Sequence, residues 1–236
     1  IHVIAIDNAS GDESVEYLRS LDWIELIERP HDESEGPSTS HAKALDEAMA
    51  HVTTPYVLSI HTDTFVRDPN WLDFLLDKIK QDENIAGVGS WKLEVKPWIK
   101  RFLKKIEYKW QCFYFPLVGK GYGSLEGKGD NFLYLRSHCA LYRTDLLRKH
   151  NLAFWQQKNT AGRMMHKKLV ELGYQMIFIP SEDLIKYVVH LNHATMFLNE
   201  EFKLRQHKRN KGIKRIRKIF HDLKAPQILE DTCLDQ

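Results

Sequence analysis

Apolar positions along the first ninety residues switch repeatedly between two periods. Ile1 to Ile6 is a compact β-rich run ending at Asp7, and Asn8 to Asp12 is turn chemistry. Ser14 to Leu21 then has helical spacing, and Trp23 to Ile27 returns to a strand pattern. After a polar loop, Ser40 is the expected N-cap of a helix carrying Ala42, Leu45 and Met49 on one face. Pro55 stops that helix, and Tyr56 to Ile60 predicts a strand. Asp68-Pro69 has the form of a cap followed by proline in the first turn, ahead of a buried face at Leu72, Leu75, Leu76 and Ile79. Ile85 to Trp91 predicts a further strand. Strands alternating with helices in this way imply an α/β fold, with a mostly parallel sheet covered on both faces.

The middle of the chain is less regular. Trp98 to Phe115 places Ile99, Phe102, Ile106, Trp110 and Phe113 at three- and four-residue steps, among basic residues. Gly119, Gly121, Gly123, Gly127 and Gly129 form a loop without the spacing of a phosphate-binding motif, and a mobile lid is the better expectation. Phe132 to Leu135 and Cys139 to Tyr142 predict extended segments, with Thr144 capping a short helix. Met164 to Leu172 predicts a helix ended by Gly173, followed by a strand over Gln175 to Ile179. The tryptophans Trp91, Trp98, Trp110 and Trp155 read as buried aromatics rather than as a platform for a sugar.

Charge adds a boundary. The 236 residues carry 34 Lys and Arg against 32 Asp and Glu, a net +2. From Lys203 to Lys224, however, ten basic residues face the single acid Asp222, so this segment holds +9 and the remainder −7. A chain that is basic throughout is excluded. The division predicts a domain over residues 1–200 and a basic amphipathic helical tail over 201–236, with Ile213, Ile216, Phe220 and Leu223 on one face. Three readings of residues 203–224 stay open: an anionic membrane surface, nucleic acid, or packing on the chain's own domain. Nucleic acid is disfavoured by the acidic body and by the lack of a recognisable RNA or DNA motif.

No apolar run approaches the length of a membrane span. Cys112, Cys139 and Cys233 have neither zinc-ligand nor disulfide spacing, which suits a reducing compartment. The chain opens on Ile1 inside an apolar run, as a fragment or a trimmed product would, and no signal peptide is legible.

Asp7 and Asp63 each follow a β-rich run, the position at which open α/β sheets bind ligands. Two carboxylates there suit Mg²⁺ or Mn²⁺ and a phosphorylated ligand, while the alternative for either one is a turn-organising aspartate. The residues around them also carry a resemblance. Val3 to Ser14 resembles the V-V-D-N-A-S-x-D-x-S signature of family 2 glycosyltransferases, and Tyr56 to Thr64 resembles that family's Y-V-L-x-L-[DN]-x-D-T segment. Asp68-Pro69-Asn70-Trp71-Leu72 resembles its continuation.

The resemblance implies a GT-A fold, Rossmann-like, beginning here after the strand and helix that the family places first. It implies a glycosyltransferase that moves a sugar from a nucleotide-sugar to a glycan or lipid-linked acceptor, metal-dependent and inverting. Asp7, Asn8, His61 and Asp63 would bind the nucleotide-sugar, and Asp63 with His190 would hold the metal. His61 stands where the family has the first aspartate of its D-x-D, and His190 fits its V-x-H pattern. His41 reads as a surface histidine that opens a helix. Leu169 to Gln175 resembles a segment that usually follows an acidic pair supplying the catalytic base. Here the preceding residues include Asn159, an amide that cannot take up a proton near neutral pH. Asp130 and Glu94 are the alternative bases, and the rival reading is a weakly active or inactive binding module. The expected location is cytoplasmic, at the inner face of a membrane.

Overall fold

The computed structural model describes residues 1–94, 98–119, 125–156, 160–192, 194–198, 204–231 and 233. Strand β1 (Val3–Asp7), helix α1 (Ser14–Arg19) and strand β2 (Ile24–Glu28) form a right-sized crossover unit. The two strands pair in parallel, from Val3 opposite Ile24 to Asp7 opposite Glu28. Helix α2 (Pro37–His51) starts three residues before the expected cap at Ser40. Proline already supplies a helical φ at Pro37, and the carbonyl of Gly36 accepts from the Thr39 and Ser40 amides. Strand β3 (Tyr56–Ile60) falls as predicted, and a short strand β4 (Thr64–Val66) follows it unforeseen. Helix α3 (Trp71–Ile79) begins later than its Asp68-Pro69 signal, because the Asp68 carboxylate accepts the Asn70 amide and holds 68–70 as a turn.

Strand β5 (Ile85–Gly89) and the 20-residue helix α4 (Trp98–Leu117) come next. Phe132 to Leu135 carries no strand, despite its extended pattern. Strand β6 (Cys139–Arg143) runs directly into helix α5 (Thr144–Lys149), whose cap is Arg143 rather than Thr144. Helix α6 (Arg163–Glu171) ends ahead of Gly173, which adopts φ +89°, and strand β7 (Gln175–Phe178) follows. The chain continues through helix α7 (Ser181–Leu184), strand β8 (Val188–His190), helix α8 (Ala194–Leu198), helix α9 (Gln206–Asp222) and helix α10 (Ala225–Leu229).

The central sheet has the order β3-β6-β5-β7. The α/β expectation holds, and parallel pairing joins β5 to β7 as it joins β1 to β2. β6 departs from it by running antiparallel to both of its neighbours. It arrives after the long excursion through α4 instead of by a helical crossover, so nothing imposes the parallel direction on it.

Alternation along these strands makes a two-faced sheet. Cys139 and Leu141 of β6 point to one side, joining Leu58, Ile85, Val88 and Ile177 beneath Leu75 and Ile79 of α3. Ala140 and Tyr142 point to the other, with Val57, Ala86 and Met176, covered by Leu146, Leu147, Met165 and Leu169. β5 lies between two strands and is buried along its whole length, so its glycines are steric necessities. A Cβ on Gly89 would stand 2.8 Å from the Cys139 carbonyl oxygen.

The basic helix α9 also finds a place. Ile216 is buried with Leu191 and Ala194, and Phe65, Phe197, Ile219 and Phe220 pack around them. Gly212 lets the helix close on the Phe197 ring, which a Cβ there would meet at 2.4 Å. The packing alternative thus describes the apolar face of α9; its lysines face outward, while Arg209 and Arg215 turn back to donate to carbonyls of the domain.

Two expectations follow. Gly89→Ala should destabilise the fold by roughly 1–3 kcal/mol in urea unfolding. Gly11→Ala, with open space around it, should stay within about 0.5 kcal/mol. The second concerns His166 in α6, which is buried and accepts the Leu135 amide at Nδ1 over 3.3 Å. Burial pushes its pKa down to about 4 from 6.5. Below pH 6.5 the unfolded chain gains a proton that the folded one refuses, so stability falls until about pH 4. His166→Leu should remove up to about 3 kcal/mol of that decline, measured as unfolding free energy at pH 7 and pH 4.

Candidate active site

The ladder between β4 and β8 builds the centre. It sets Thr64 opposite His190, and the Leu191 amide donates to the Asp63 carbonyl over 2.8 Å. Side chains one residue apart on these strands therefore converge. His190 Nε2 lies 2.9 Å from Asp63 Oδ1, and His61 Nδ1 lies 3.9 Å from the same oxygen. Ligand atoms of His61, Asp63 and His190 all fall within 4.8 Å of one another, which is the one such metal-sized group among the described residues.

The tautomer of His190 decides what that contact means. Its Nδ1 is 2.7 Å from Asn192 Oδ1, an oxygen that can only accept, so Nδ1 carries the proton. In the neutral ring Nε2 then presents a lone pair to a carboxylate. It is buried, and the Asp63 carboxylate oxygen at 2.9 Å is the group that faces it. Two facing lone pairs repel unless a proton or a cation sits between them, and this donor set of imidazole and carboxylate suits a divalent ion. Asn192 holds the ring from a left-handed backbone position, φ +51°. Burial works to lower the pKa of His190, but the Asp63 carboxylate and the Asn192 amide outweigh it, and the value is raised. For Asp63, burial acts to raise the pKa, and His190, His61 and the Ala194 amide hold it below the usual range.

Around this group lies a layer that the sequence did not announce. His41 Nε2 and His61 Nε2 both reach Ser137 Oγ, at 2.9 and 3.0 Å. His138 Nε2 is 2.9 Å from Ser90 Oγ, and its ring lies 5.3 Å from that of His190. The backbone of 137–138 is clamped to the floor, since Ser59 Oγ donates to the Ser137 carbonyl and Thr64 Oγ1 to that of His138. Burial, then the nearby histidines, pushes His61 down to about 4 and His138 to about 3. Burial lowers His41 as well. Near neutral pH these rings are uncharged, with lone pairs and N–H groups to offer and no charge to repel a cation.

Asp7 occupies a separate edge. It is buried, and its carboxylate accepts the Ser10 amide at 3.0 Å, so it does organise its turn. It also lines a cleft of about 550 Å³ with Ser10, Asp12, Arg19, Glu28 and Arg29. Arg29 ties this edge to the rest, donating to Asn8 Oδ1 at 2.7 Å, to the Ser40 carbonyl at 3.1 Å and to Glu47 at 2.9 Å. Ser40 and His41 are neighbours in the first turn of α2. One end of that turn holds the Asp7 edge, and the next residue reaches the histidine cluster.

The two suggested bases lie elsewhere. Asp130 sits exposed in a 3₁₀ turn over Gly129–Asn131, with its carbonyl accepting from Arg163, and Glu94 is exposed beyond β5. Neither belongs to the converging group. Asn159 and His193 lie outside the described residues. The expectation of buried tryptophans fails for Trp110 and Trp155, which are exposed, while Trp91 is partly buried and donates to Glu126. The side chain of Trp98 lies outside the described ones. Ser137, His138, Ser90, Arg29 and Asn192 went unread, because only the antiparallel insertion of β6 and the β4–β8 ladder bring them in.

A family model for glycosyl transferase family 2 matches residues 1–150. The chain belongs to that family. The matched stretch contains Asp7, His61, Asp63 and His138, whereas His190 lies beyond it and joins the site through the fold. This glycosyl transferase family member also resembles a solved structure, the mannosyltransferase PcManGT from Pyrobaculum calidifontis in complex with GDP-Man and Mn²⁺. The TM-score is 0.51 at 16% identity, over 76% of this chain and 45% of that one. This likeness is one of fold, of the GT-A type, and the chain spans less than half the length of that structure. Among curated proteins none matches the sequence. No described helix is long and apolar enough to cross a membrane.

Arg29 is the joint between the two edges, and its replacement tests their connection. Arg29→Gln should speed hydrogen exchange at the Thr39 to Ala42 amides while leaving those of β5 unchanged.

Proposed function

We propose that the protein transfers a sugar from a nucleotide-sugar to an acceptor hydroxyl, with a divalent cation, Mg²⁺ or Mn²⁺, held by Asp63 and His190. The single observation that carries this reading is the convergence of His61, Asp63 and His190, with the buried Nε2 of His190 aimed at the Asp63 carboxylate over 2.9 Å. The nucleotide-sugar and Mn²⁺ in the related structure support the same donor class. When bound, the cation would neutralise charge on the departing diphosphate.

The residues of the chain do the remainder. Asp7 and Asn8 line the edge assigned to the nucleoside, and Asn8 is oriented by Arg29. His61, neutral and held by Ser137, offers its Nδ1 side toward Asp63 and the diphosphate. Asn192 fixes which nitrogen of His190 is free. In an inverting displacement the acceptor oxygen forms its bond to the anomeric carbon as the bond to the diphosphate breaks, and a base takes the hydroxyl proton. Asp130 and Glu94 are the bases assigned to that role. The acceptor in this reading is a glycan or a lipid-linked molecule.

Thermal shift and turnover with a panel of nucleotide-sugars test this together. A nucleoside diphosphate should raise the melting temperature only with Mn²⁺ or Mg²⁺ present, and Asp63→Ala should abolish the shift without lowering the metal-free melting point. Asn192→Gly keeps the left-handed backbone and removes the amide, and should weaken Mn²⁺ binding about 10–100-fold. Asp130→Asn or Glu94→Gln should cut turnover with binding intact. Binding of a donor without turnover would favour the inactive-module alternative, and a shift that persists in Asp63→Ala would remove the metal from the mechanism.

A further inference from the structure

α4 leaves its apolar stripe uncovered. An amphipathic helix on a globular domain normally buries its apolar stripe and shows its charges to water. α9 obeys that rule. In α4 the stripe formed by Ile99, Phe102, Ile106, Trp110, Phe113 and Leu117 points outward, with exposures of 53, 57, 49, 58, 72 and 69%. The half-buried residues near its C-terminal end, Gln111, Cys112 and Phe115, lie on the other side. Exposing so many large apolar side chains in one row costs free energy unless something covers them, and contiguous patches of this kind mark interaction surfaces.

We propose that α4 is an interfacial membrane helix that lies flat in the headgroup region of an anionic bilayer. Three features select a bilayer. First, the helix sequence holds Lys100, Arg101, Lys104, Lys105 and Lys109 against Glu107 alone, and Lys104, Lys105 and Lys109 are exposed, the last two along one edge of the apolar row. Cations beside an apolar face suit acidic headgroups above acyl chains. Second, those charges oppose self-association, since pairing the faces of two copies would bring two +4 helices together. Third, Trp110 and Tyr114 stack at 4.7 Å near the middle of the row, and aromatic rings with a polar edge favour the depth of the headgroups. The 20 residues extend about 30 Å, yet the helix is too polar to span a membrane, which leaves an orientation along the surface.

α9 cannot serve the same purpose by insertion, since its apolar face is already used by Ile216, Phe220 and their neighbours. Of the roles left open for residues 203–224, contact with an anionic surface rests on the outward lysines of α9 and not on its apolar face. The proposal stands or falls apart from the transfer reaction.

Co-sedimentation of the full chain with vesicles tests it. Vesicles of phosphatidylcholine containing about one third phosphatidylglycerol should bind the protein, and pure phosphatidylcholine should bind it much less. Trp fluorescence should shift to the blue on binding. Phe102→Ser/Phe113→Ser should reduce the bound fraction about tenfold or more with an unchanged melting temperature, because both side chains face solvent. Lys105→Gln/Lys109→Gln should weaken binding about tenfold for the anionic vesicles alone. Three results would overturn the proposal: no binding to either vesicle, binding that survives both variants, or a dimer in sedimentation velocity that the Phe variant disperses in the absence of lipid-dependent binding.

Discussion

A three-residue antiparallel ladder, Thr64–Val66 against Val188–His190, is the contact on which the candidate site depends. It joins the segment just beyond β3 to a strand reached only after three further strands have been laid down. Its register determines whether His190 faces Asp63 at all, since a slip of one residue would turn His190 to the opposite side. Nothing in so short a pairing is strong by itself. It is kept in place by what flanks it: the Leu191 amide on the Asp63 carbonyl, the Tyr187 carbonyl accepting from Arg67, and the packing of Phe65 and Val188 into separate apolar clusters.

Desolvation sets the chemistry of the same region. Four histidine rings stand within a few ångströms of one another, an arrangement that would be untenable if they were charged. Burial keeps His41, His61 and His138 neutral, and serine hydroxyls, which can donate or accept, meet their ring nitrogens. The one ring pushed the other way is His190, beside the only carboxylate of the cluster. A neutral, hydrogen-bonded shell around one anionic oxygen donor is a polar environment arranged for positive charge, without the like-charge penalty that a basic pocket would impose.

Much of this was legible in order, and little of it in direction. β3 and β5 could be read because each is a short apolar run between turn signals, and Asp7 and Asp63 stood out because they end such runs. His190 was reachable only through a resemblance. β4 escaped because three residues give no period to recognise, and Phe132 to Leu135 misled because an extended apolar pattern says nothing about whether a partner strand is available. The antiparallel course of β6 brought Ser137 and His138 to the site from a stretch that local pattern could not orient. α4 and α9 have similar apolar periodicity in sequence, yet one faces out and the other in. Only tertiary packing distinguishes them: α9 meets Leu191, Ala194 and Phe197, and Gly212 opens the space for that approach.

Arg215 of α9 donates to the carbonyls of Leu191 and Asn192, the residues directly after His190. The amide that fixes the tautomer of His190 is therefore braced by a helix made later than every other part of the site. During synthesis the central sheet has all its strands before this brace exists, so the nascent domain passes through a stage that is folded but lacks its finished ligand set. The order of translation thus places completion of the candidate site at the end of folding, after the hydrophobic core has committed to its shape.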